Sequence, residues 1–543
     1  MSKEANNSRN YSRRHFLKLA STGAVALTAG GAILAACGDN TATPATGTTA
    51  VTSSTTVAGA ATTATGTGAV TTVAASNVAP AEVILTYRAL PQKDTQAVQD
   101  ALNTLLKTKQ PGTTVKLNPI DPATYEQKIK LAFAANEKLD ILFTASWTNN
   151  FWTNISQGNL MPLDDLLSKH APKLFASMPQ TIWNGVKVGG KYYAVPNQTL
   201  FVQPWGAQIR KDLADKYKLD VASLKKFEDL EPFLTQIKTS ETGVTPIYSD
   251  DQTGGFVFRP AHAGFDAVVD LAGVVTKWGD PEVKVFNEYG TDEFKHFAEL
   301  ARKWYQAGYY TKDPLPPADA NAAQLAGKYA MALHQTGPDV APGLKVKYAR
   351  DYVVASFSPP IYLTTTSIAS NLLAISRTSP NPERAMMLLE LLNSDVEVFN
   401  LLAKGIENKH WVWSDKDKKI IGQPSGLTAT SNPYFPNTDY LFGNVFNGYY
   451  TNPDLVGVWE KEQAMNKDAP ASTALGFAAD LTKLSTESAQ VNAVIKQYGY
   501  PMMKGILDPA TGLAEFNSKL KAAGQDKIIE EVQNQINAWK KAK

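Results

Sequence analysis

The fold class is decided by the stretch Val83-Ile84-Leu85-Thr86-Tyr87, an apolar run whose length and β propensity predict a buried strand. Apolar residues at helical spacing follow over 95–107, and a second strand is predicted at 113–117. A second helix is predicted over 125–136 and a third strand over 140–143. This β-α-β-α-β order predicts parallel strands with helices on the faces of the sheet, which is an α/β layer fold.

The chain is too long for one such layer. Its roughly 350 residues beyond a predicted hairpin at 186–195 exceed the usual size of a domain. Predicted helices at 292–307 and 381–402 alternate with strand-like segments at 328–333 and 352–357. This alternation predicts two lobes made of discontinuous segments, with more than one passage of the chain between them.

We expect the first lobe to comprise residues 81–195 and about 328–380. The second lobe is expected to comprise 196–327 and about 381–543, with a helix-rich C-terminal domain that starts near residue 406.

The N-terminal segment predicts export and lipid attachment. Arg13 and Arg14 precede an apolar run, 19–36, that ends at Cys37, the single cysteine in the sequence. The arginine pair resembles the twin-arginine export signal, and Leu-Ala-Ala-Cys resembles the lipobox of bacterial lipoproteins. The glycine-diluted run favours a signal peptide over residues 1–36 rather than a permanent span. Two acyl chains on Cys37 would anchor the protein stably on the outer face of the cell membrane.

Residues 37–80 are predicted to form a disordered linker, because Thr, Ala, Gly, Ser and Val dominate the segment and provide no packed face. The whole chain has Lys+Arg 53 and Asp+Glu 51, a formal charge of +2. This balance gives no electrostatic footprint for nucleic acid.

Several strings resemble the extracellular solute-binding lipoproteins of ABC importers, family 1. They are GKYYAVP at 190–196, RKDL at 210–213, RKWYQAGY at 302–309 and NPERAM at 381–386. GIENKH at 405–410 and LKAAG at 520–524 resemble a LipO-like subgroup with an extra C-terminal domain. Lys404 and Asn408 depart from the subgroup pattern, which has Tyr and Gly at these positions.

The resemblance implies a two-lobed periplasmic-binding-protein-like fold of class II type, whose lobes close over a solute, usually an oligosaccharide or a glycoside. It further implies delivery to the transmembrane permease of an ABC importer. We therefore expect a monomeric carbohydrate receptor that is not an enzyme, needs no cofactor or metal, and contacts the bilayer through Cys37.

Carbohydrate sites combine aromatic platforms with polar side chains in a cleft. Ligands of parallel α/β sheets lie beyond the carboxyl ends of the strands, and a crossing between the lobes is predicted after Pro196. We take candidates from four places: the end of the third strand, the crossing, a Gly-containing loop and the return strand near residue 362. The candidate ligand-binding residues are Trp147, Asn149, Asn150, Trp152, Gln203, Trp205, Asp251, Arg259, His262 and Tyr362.

Other chemistry finds little support in the sequence. The motifs HExxH, CxxC, GxSxG and GxxxxGK[ST] do not occur, which disfavours a zinc site, an α/β-hydrolase and a P-loop ATPase. The alternatives left open are a lipid-anchored glycoside hydrolase and a structural or adhesive surface lipoprotein. A hydrolase would need two carboxylates that flank a sugar, such as Asp250 or Asp251 with Glu241 or Asp266.

Overall fold

The computed structural model describes residues 78–250 and 258–542, except for the side chain of Asp270. These residues belong to one unit, Thr71–Lys543. The export signal, Cys37 and nearly all of the predicted linker lie outside the described residues, and so does Asp251.

The strands of the described residues are β1 (Ala81–Arg88), β2 (Thr113–Ile120), β3 (Ile141–Thr144), β4 (Lys187–Val188), β5 (Lys191–Tyr192), β6 (Val195–Pro196), β7 (Trp205–Arg210), β8 (Thr245–Ile247), β9 (Phe265–Val269), β10 (Val274–Lys277), β11 (Phe286–Asn287), β12 (Tyr329–Gln335), β13 (Tyr352–Ser356), β14 (Leu372–Ile375), β15 (Val412–Asp415) and β16 (Ile420–Gly422).

The α-helices of the described residues are α1 (Thr95–Lys109), α2 (Tyr125–Ala134), α3 (Phe151–Ser156), α4 (Asp164–His170), α5 (Pro172–Ser177), α6 (Gln180–Asn184), α7 (Lys211–Lys216), α8 (Glu231–Ser240), α9 (Asp292–Ala307), α10 (Pro317–Leu325), α11 (Val340–Tyr348), α12 (Thr365–Ile368), α13 (Pro382–Ser394), α14 (Val396–Lys404), α15 (Val458–Asp468), α16 (Ser485–Val494), α17 (Tyr500–Met503), α18 (Pro509–Ala522) and α19 (Gln525–Ala542).

The first lobe is built on a five-stranded sheet with the order β2-β1-β3-β14-β6. Strands β1, β2 and β3 are parallel, which confirms the fold predicted from residues 83–143, and β14 is antiparallel to its neighbours β3 and β6. The buried residues Val83 and Leu85 belong to the same apolar core as Val98 and Leu102 of α1. Sheet and helix thus share one core, and the ends of the strands lie at its margin.

The second lobe is built on a four-stranded sheet with the order β13-β7-β12-β8. Strand β7 is antiparallel to both β12 and β13, whereas β8 is parallel to β12. Ile209 and Met331 lie in one apolar core with Trp304 of α9, which is fully buried. Strands β9, β10 and β11 form a smaller antiparallel sheet whose inner residues contribute to this core.

The predicted division of the chain between the lobes is wrong in two places. Residues 328–357 were expected in the first lobe, but β12 and β13 flank β7 in the second sheet. Residues 381–404 were expected in the second lobe, but α13 and α14 pack in the core of the first. The chain therefore completes the second sheet before it returns to the first lobe, because both edges of β7 pair with later strands, β12 and β13.

The predicted helix over 381–402 consists of two helices, α13 and α14. They meet at Asp395, whose carboxylate accepts hydrogen bonds from the backbone N–H groups of Glu397 and Val398, both at 3.0 Å. An N-cap aspartate begins a new helix in this way, because it satisfies two donors that have no intrahelical partner.

The C-terminal region divides between the lobes instead of forming one domain of the second lobe from residue 406. The Tyr434 hydroxyl donates to the carbonyl of Leu402 at 2.7 Å, and the Phe442 ring lies 4.9 Å from that of Tyr87 in the first lobe. Residues of α16, α18 and α19 pack instead in the core of the second lobe. The two-lobed α/β fold with a helix-rich C-terminal extension is nevertheless confirmed.

Three segments connect the lobes, namely 197–204, 357–364 and 470–476. The Phe357 N–H of the second crossing donates to the carbonyl of Trp205, at the start of β7, at 2.9 Å. The Ser472 N–H of the third crossing donates to the carbonyl of Leu363 in the second at 2.8 Å. Bundled crossings of this kind favour a hinge, because few backbone dihedrals need to change when the lobes move. Within residues 78–250 and 258–542, no helix has the length and apolarity required to cross a membrane.

Candidate ligand-binding site

The cleft edge of each main sheet is the row of strand ends from which the chain crosses to the other lobe. The first crossing leaves the carboxyl end of β6, which runs parallel to β3, and enters the amino end of β7. That end of β7 lies beside the carboxyl ends of β12 and β13, because β7 is antiparallel to both. The space between these two edges, called the interlobe cleft below, is where ligands of open α/β sheets bind.

Trp147 is an exposed indole at the cleft edge of the first lobe and the candidate aromatic platform there. Its indole Nε1–H donates to the carbonyl of Ser370 at 2.7 Å, and half of its surface is exposed. The guanidinium carbon of Arg88 lies 5.0 Å from the centroid of the indole ring. Arg88 ends β1, Trp147 follows β3 and Ser370 precedes β14, so all three occupy the cleft edge of the first sheet.

The side chains next to Trp147 stabilise the loop that carries it. The buried Asn149 donates from its side-chain amide to the carbonyl of Phe143 at 3.0 Å, and Asn150 caps α3 by accepting from the Thr153 N–H at 3.0 Å. The Trp152 ring packs 5.8 Å from that of Phe151 at the margin of the core. Asn149, Asn150 and Trp152 thus make local hydrogen bonds and packing contacts, and their ligand roles remain predictions.

A cavity of about 330 Å³ lies at the cleft edge of the second sheet. Strand β7 contributes Trp205 and Gln208, strand β12 contributes His334, and the loop after β8 contributes Asp250. The cavity is further lined by Gly206, Phe227, Tyr248, Arg259, His262, Pro317, Asn321, Gln324, Ala332, Leu333, Leu344, Lys347 and Tyr348. Aromatic, amide and charged groups thus converge in one concave site, as expected of a small-molecule pocket.

Trp205 is half-buried in this cavity between two cationic or potentially cationic groups. The guanidinium carbon of Arg259 lies 3.7 Å from its ring centroid, and the His334 ring lies 5.0 Å away. The Trp205 N–H donates to Ser358 Oγ at 2.8 Å, which attaches the platform to the second crossing.

The histidines of the cavity are neutral near pH 7. Burial, and secondarily the charge of Arg259, lowers the pKa of His262 to about 3. Burial, followed by the charges of Arg259 and Lys347, lowers the pKa of His334 to about 4. His262 lies between the rings of Phe227 and Phe258, at 5.3 and 6.3 Å. It forms part of the cavity wall and remains only a candidate for ligand contact.

The carboxylate of the cavity lies beside tyrosines. The Tyr248 hydroxyl donates to Asp250 Oδ2 at 3.1 Å. Burial, together with the charge of Asp250, raises the pKa of Tyr248 above its ordinary range. The hydroxyl therefore remains a hydrogen-bond donor at physiological pH.

Two other candidates lie in the hinge. Tyr362 stacks on Trp278 with ring centroids 5.4 Å apart, which links the second crossing to the residue that follows β10 in the second lobe. Gln203 belongs to the first crossing, where its Oε1 is buried without a hydrogen-bond partner among the described residues. The structure therefore brings Trp205, Arg259 and His262 together, but it places Gln203 and Tyr362 outside the cavity lining.

Sequence reasoning missed Arg88, Tyr248, His334 and Lys347. Arg88 and Tyr248 stand at the carboxyl ends of strands, so the rule that selected Trp147 also applies to them. His334 and Lys347 carried no such signal, because their segment was assigned to the other lobe. Among the described residues, no cluster of three or more His, Cys, Asp or Glu side chains is arranged to hold a metal ion.

Comparison with protein families gives two matches. Residues 100–407 match the family described as bacterial extracellular solute-binding protein. Residues 473–541 match a second family, described as a domain of unknown function (DUF3502). The second match covers α16 to α19, which pack on the second lobe.

A carbohydrate ABC transporter substrate-binding protein of Streptococcus pneumoniae is 27% identical over 448 residues, which are 80% of this chain and 86% of the relative. The N-glycan transport solute-binding protein NgtS of the same species superposes with a TM-score of 0.74 at 23% identity, covering 84% of this chain and 98% of NgtS. The complex of NgtS with Man5GlcNAc gives a TM-score of 0.70 at 23% identity, with 85% and 99% covered.

Proposed function

The chain belongs to the bacterial extracellular solute-binding protein family, and from this membership we propose that it captures a carbohydrate in the interlobe cleft and delivers it to an ABC importer. The curated relative is a carbohydrate ABC transporter substrate-binding protein, and NgtS has been solved with Man5GlcNAc. These similarities support a carbohydrate as the solute of this chain.

The observation that carries the proposal is the placement of one indole on each cleft edge. Trp147 is half exposed on the first lobe, and Trp205 lines the cavity of the second. Sugars present apolar C–H faces that stack on aromatic rings and hydroxyls that bond to polar neighbours. Closure of the lobes would bring the two platforms against one ligand, and binding energy would hold the closed state.

The same geometry supports a receptor rather than a hydrolase. A retaining or an inverting glycosidase needs two carboxylates that flank the scissile bond. Among the described residues that line the cavity, Asp250 is the one carboxylate. Asp266, a partner considered from the sequence, is buried in β9 and is not part of the lining. We therefore propose that the protein binds its solute without chemical conversion.

The N-terminal segment supports attachment to the cell surface. In this proposal Arg13 and Arg14 direct export, and diacylated Cys37 holds the monomeric receptor on the extracytoplasmic face of the cell membrane. A tether keeps the receptor near its permease, because it raises the effective concentration of one at the other.

Thermal unfolding in the presence of a glycan panel tests the proposal. A ligand at a hundredfold excess over its Kd stabilises the folded state by about 2.7 kcal/mol, which raises the unfolding midpoint measurably. We expect a rise with one class of oligosaccharide and unchanged glycan after recovery. Absence of a rise with every glycan would contradict carbohydrate capture, and recovery of a cleaved glycan would contradict the receptor assignment.

A further inference from the structure

Helix α12 supports the loop that carries Trp147. The Ser146 N–H donates to the carbonyl of Ala369 at 2.8 Å, and Ser146 Oγ donates to the carbonyl of Thr366 at 3.3 Å. The Trp147 indole donates to the carbonyl of Ser370, the residue after Ala369, at 2.7 Å. The indole and its loop are therefore held by α12 and the two residues that follow this helix.

Helix α12 is itself fixed in the first lobe. Ile368 is fully buried in the core of that lobe, and a Cβ at Gly185 would lie 2.7 Å from Ile368 Cβ. The backbone of Gly185 thus packs directly on this side chain. At the other end of the helix, the Thr364 hydroxyl caps the first turn by accepting from the Ser367 N–H at 3.0 Å. Such close packing makes α12 a rigid part of the first lobe.

The same helix also contacts the second lobe and the hinge. Thr366 Oγ1 donates to the carbonyl of Ala267 at 3.0 Å, and Ala267 lies in β9 of the second lobe. Thr365 Oγ1 accepts from the N–H of Gly476, in the third crossing, at 2.9 Å. Thr366 therefore has two bonds of different kinds, because its carbonyl binds the loop of Trp147 and its hydroxyl binds the second lobe.

The hydrogen bond between Thr366 and Ala267 joins the two lobes outside the three crossings. A hinge leaves the lobes several relative positions of similar free energy, and a contact made in only one of them favours that position. Loss of one hydrogen bond changes the ratio of two such positions by roughly two- to tenfold. The Thr366 hydroxyl is thus strong enough to influence where the second lobe lies with respect to Trp147.

We propose that Thr366 is a positioning residue, whose hydroxyl sets the position of Trp147 relative to the second lobe and so the width of the interlobe cleft at this indole. The consequence for binding rests on the proposed carbohydrate capture, since a glycan that spans the cleft then meets Trp147 at the correct distance. A site arranged in advance binds more tightly, because less conformational freedom is lost on binding.

The first test is pulsed electron–electron double resonance on the full chain with Cys37→Ser, which removes the single cysteine. Spin labels at Lys107→Cys on α1 and Lys295→Cys on α9, two exposed positions, report the distance between the lobes. Thr366→Val removes the hydroxyl and keeps the branched shape of the side chain. We expect a broader or shifted distance distribution in Thr366→Val, and the distribution of the labelled parent in Thr366→Ser, which retains the hydroxyl.

Thr239→Val is the matched control. Thr239 is exposed on α8, and its hydroxyl also donates to a backbone carbonyl, that of Thr235 in the same helix, at 2.9 Å. The control therefore loses a comparable hydrogen bond without the loss of a contact between the lobes, and it should keep the parent distribution. Melting curves would show that each variant is folded.

The second test is calorimetric titration with Man5GlcNAc, the glycan of the NgtS complex. Thr366→Val should weaken binding roughly three- to tenfold, whereas Thr366→Ser and Thr239→Val should leave the affinity unchanged. In a Trp147→Ala background, Thr366→Val should change the affinity by less than about twofold, because the indole that it positions is absent. Equal weakening in both backgrounds would show that Thr366 does not act through Trp147.

The outcomes separate the two claims. Identical distance distributions in Thr366→Val and in the labelled parent overturn the inference and leave carbohydrate capture standing. A change in Thr366→Ser as large as that in Thr366→Val overturns the assignment to the hydroxyl. A changed distribution in a protein that no glycan stabilises supports the contact between the lobes but removes the proposed function, and with it the consequence for binding.

Discussion

The guanidinium carbon of Arg259 lies 3.7 Å from the centroid of the Trp205 indole ring. The first lobe repeats this arrangement at its own cleft edge, where Arg88 lies 5.0 Å from the centroid of Trp147. Each lobe therefore offers an aromatic platform paired with a cation and hydrogen-bond donor. The two pairs are formed by residues far apart in sequence, and the topology of the sheets places both on the interlobe cleft.

Replacement of Arg259 by Met should weaken glycan binding by about 1–3 kcal/mol, because the ligand loses a charged donor and Trp205 loses its cation–π partner. Calorimetric titration measures the effect. Arg377→Met is the control, since Arg377 is exposed on the first lobe and is not part of the cavity lining. An unchanged affinity for Arg259→Met would contradict a role of the pair in binding.

Asp266 should make the stability of the protein depend on pH. Burial raises the pKa of Asp266 from its ordinary 3.8 to about 6, although a hydrogen bond with Ser472 of the third crossing opposes the shift. A raised pKa means that the stabilisation is complete below about pH 4 and is lost as the pH rises through 6. The free energy of unfolding should fall by about 2–3 kcal/mol across this range.

Urea unfolding at several pH values measures this dependence. In Asp266→Asn the decline between pH 4 and 6 should be absent or strongly reduced, because Asn does not ionise. Asp417→Asn removes an exposed acid and should retain the decline. The same pH dependence in Asp266→Asn and in the wild type would show that another group causes it.

A pair of buried acids should make stability depend on pH at higher values. The carboxyl groups of Asp339, before α11, and Glu462, on α15, face each other, and burial with mutual repulsion raises the pKa of Glu462 to about 9. We therefore expect the pair to hold one proton near neutral pH, because two charged carboxylates at one buried site repel each other. The pair stabilises the folded protein at low pH and loses that contribution as the pH approaches 9.

The melting temperature should therefore fall between pH 7 and 9 in the wild type, and this part of the fall should be absent in Glu462→Gln. Asp468→Asn provides the control, because Asp468 is exposed on the same helix. An equal fall in Glu462→Gln and in the wild type would argue against a shared proton.

Arg384 should stabilise the start of the first lobe. Its buried guanidinium donates to the backbone carbonyls of Val78, Ala79 and Pro111, the last two at 2.9 Å. Arg384→Lys should lower the free energy of unfolding by about 2–4 kcal/mol, because an ammonium group lacks the planar set of N–H donors that reaches all three carbonyls. Urea denaturation tests this effect, and Arg377→Lys, at an exposed position, should change stability little.

The sequence predicted the parallel layer of the first lobe because the relevant signals are local. The apolar run at 83–87 and the helical spacing at 95–107 each depend on neighbouring residues. Which lobe receives β12 was not predictable in the same way, because strand pairing with β7 joins residues more than a hundred positions apart. Because β12 and α11 were assigned to the wrong lobe, His334 and Lys347 were not considered as candidate site residues.

The positions of some candidate site residues were predicted correctly, because they follow from the positions of strand ends. Trp147 and Trp205 were selected by their positions relative to strand ends and the crossing, and they do lie on the cleft edges. Asn149 and Asn150 satisfied the same rule, but short amide side chains bond readily to nearby backbone and here hold the loop. The ligand role of Trp147 and Trp205 remains a prediction.

The most direct test of carbohydrate capture between the lobes is calorimetric titration of the double variant Trp147→Ala, Trp205→Ala with the glycan that stabilises the wild type. Removal of two stacking platforms should weaken binding by several kcal/mol, since buried aromatic anchors dominate such sites. Each single variant should lose part of this affinity while the protein stays folded. A folded double variant that binds the glycan with wild-type affinity would contradict the account.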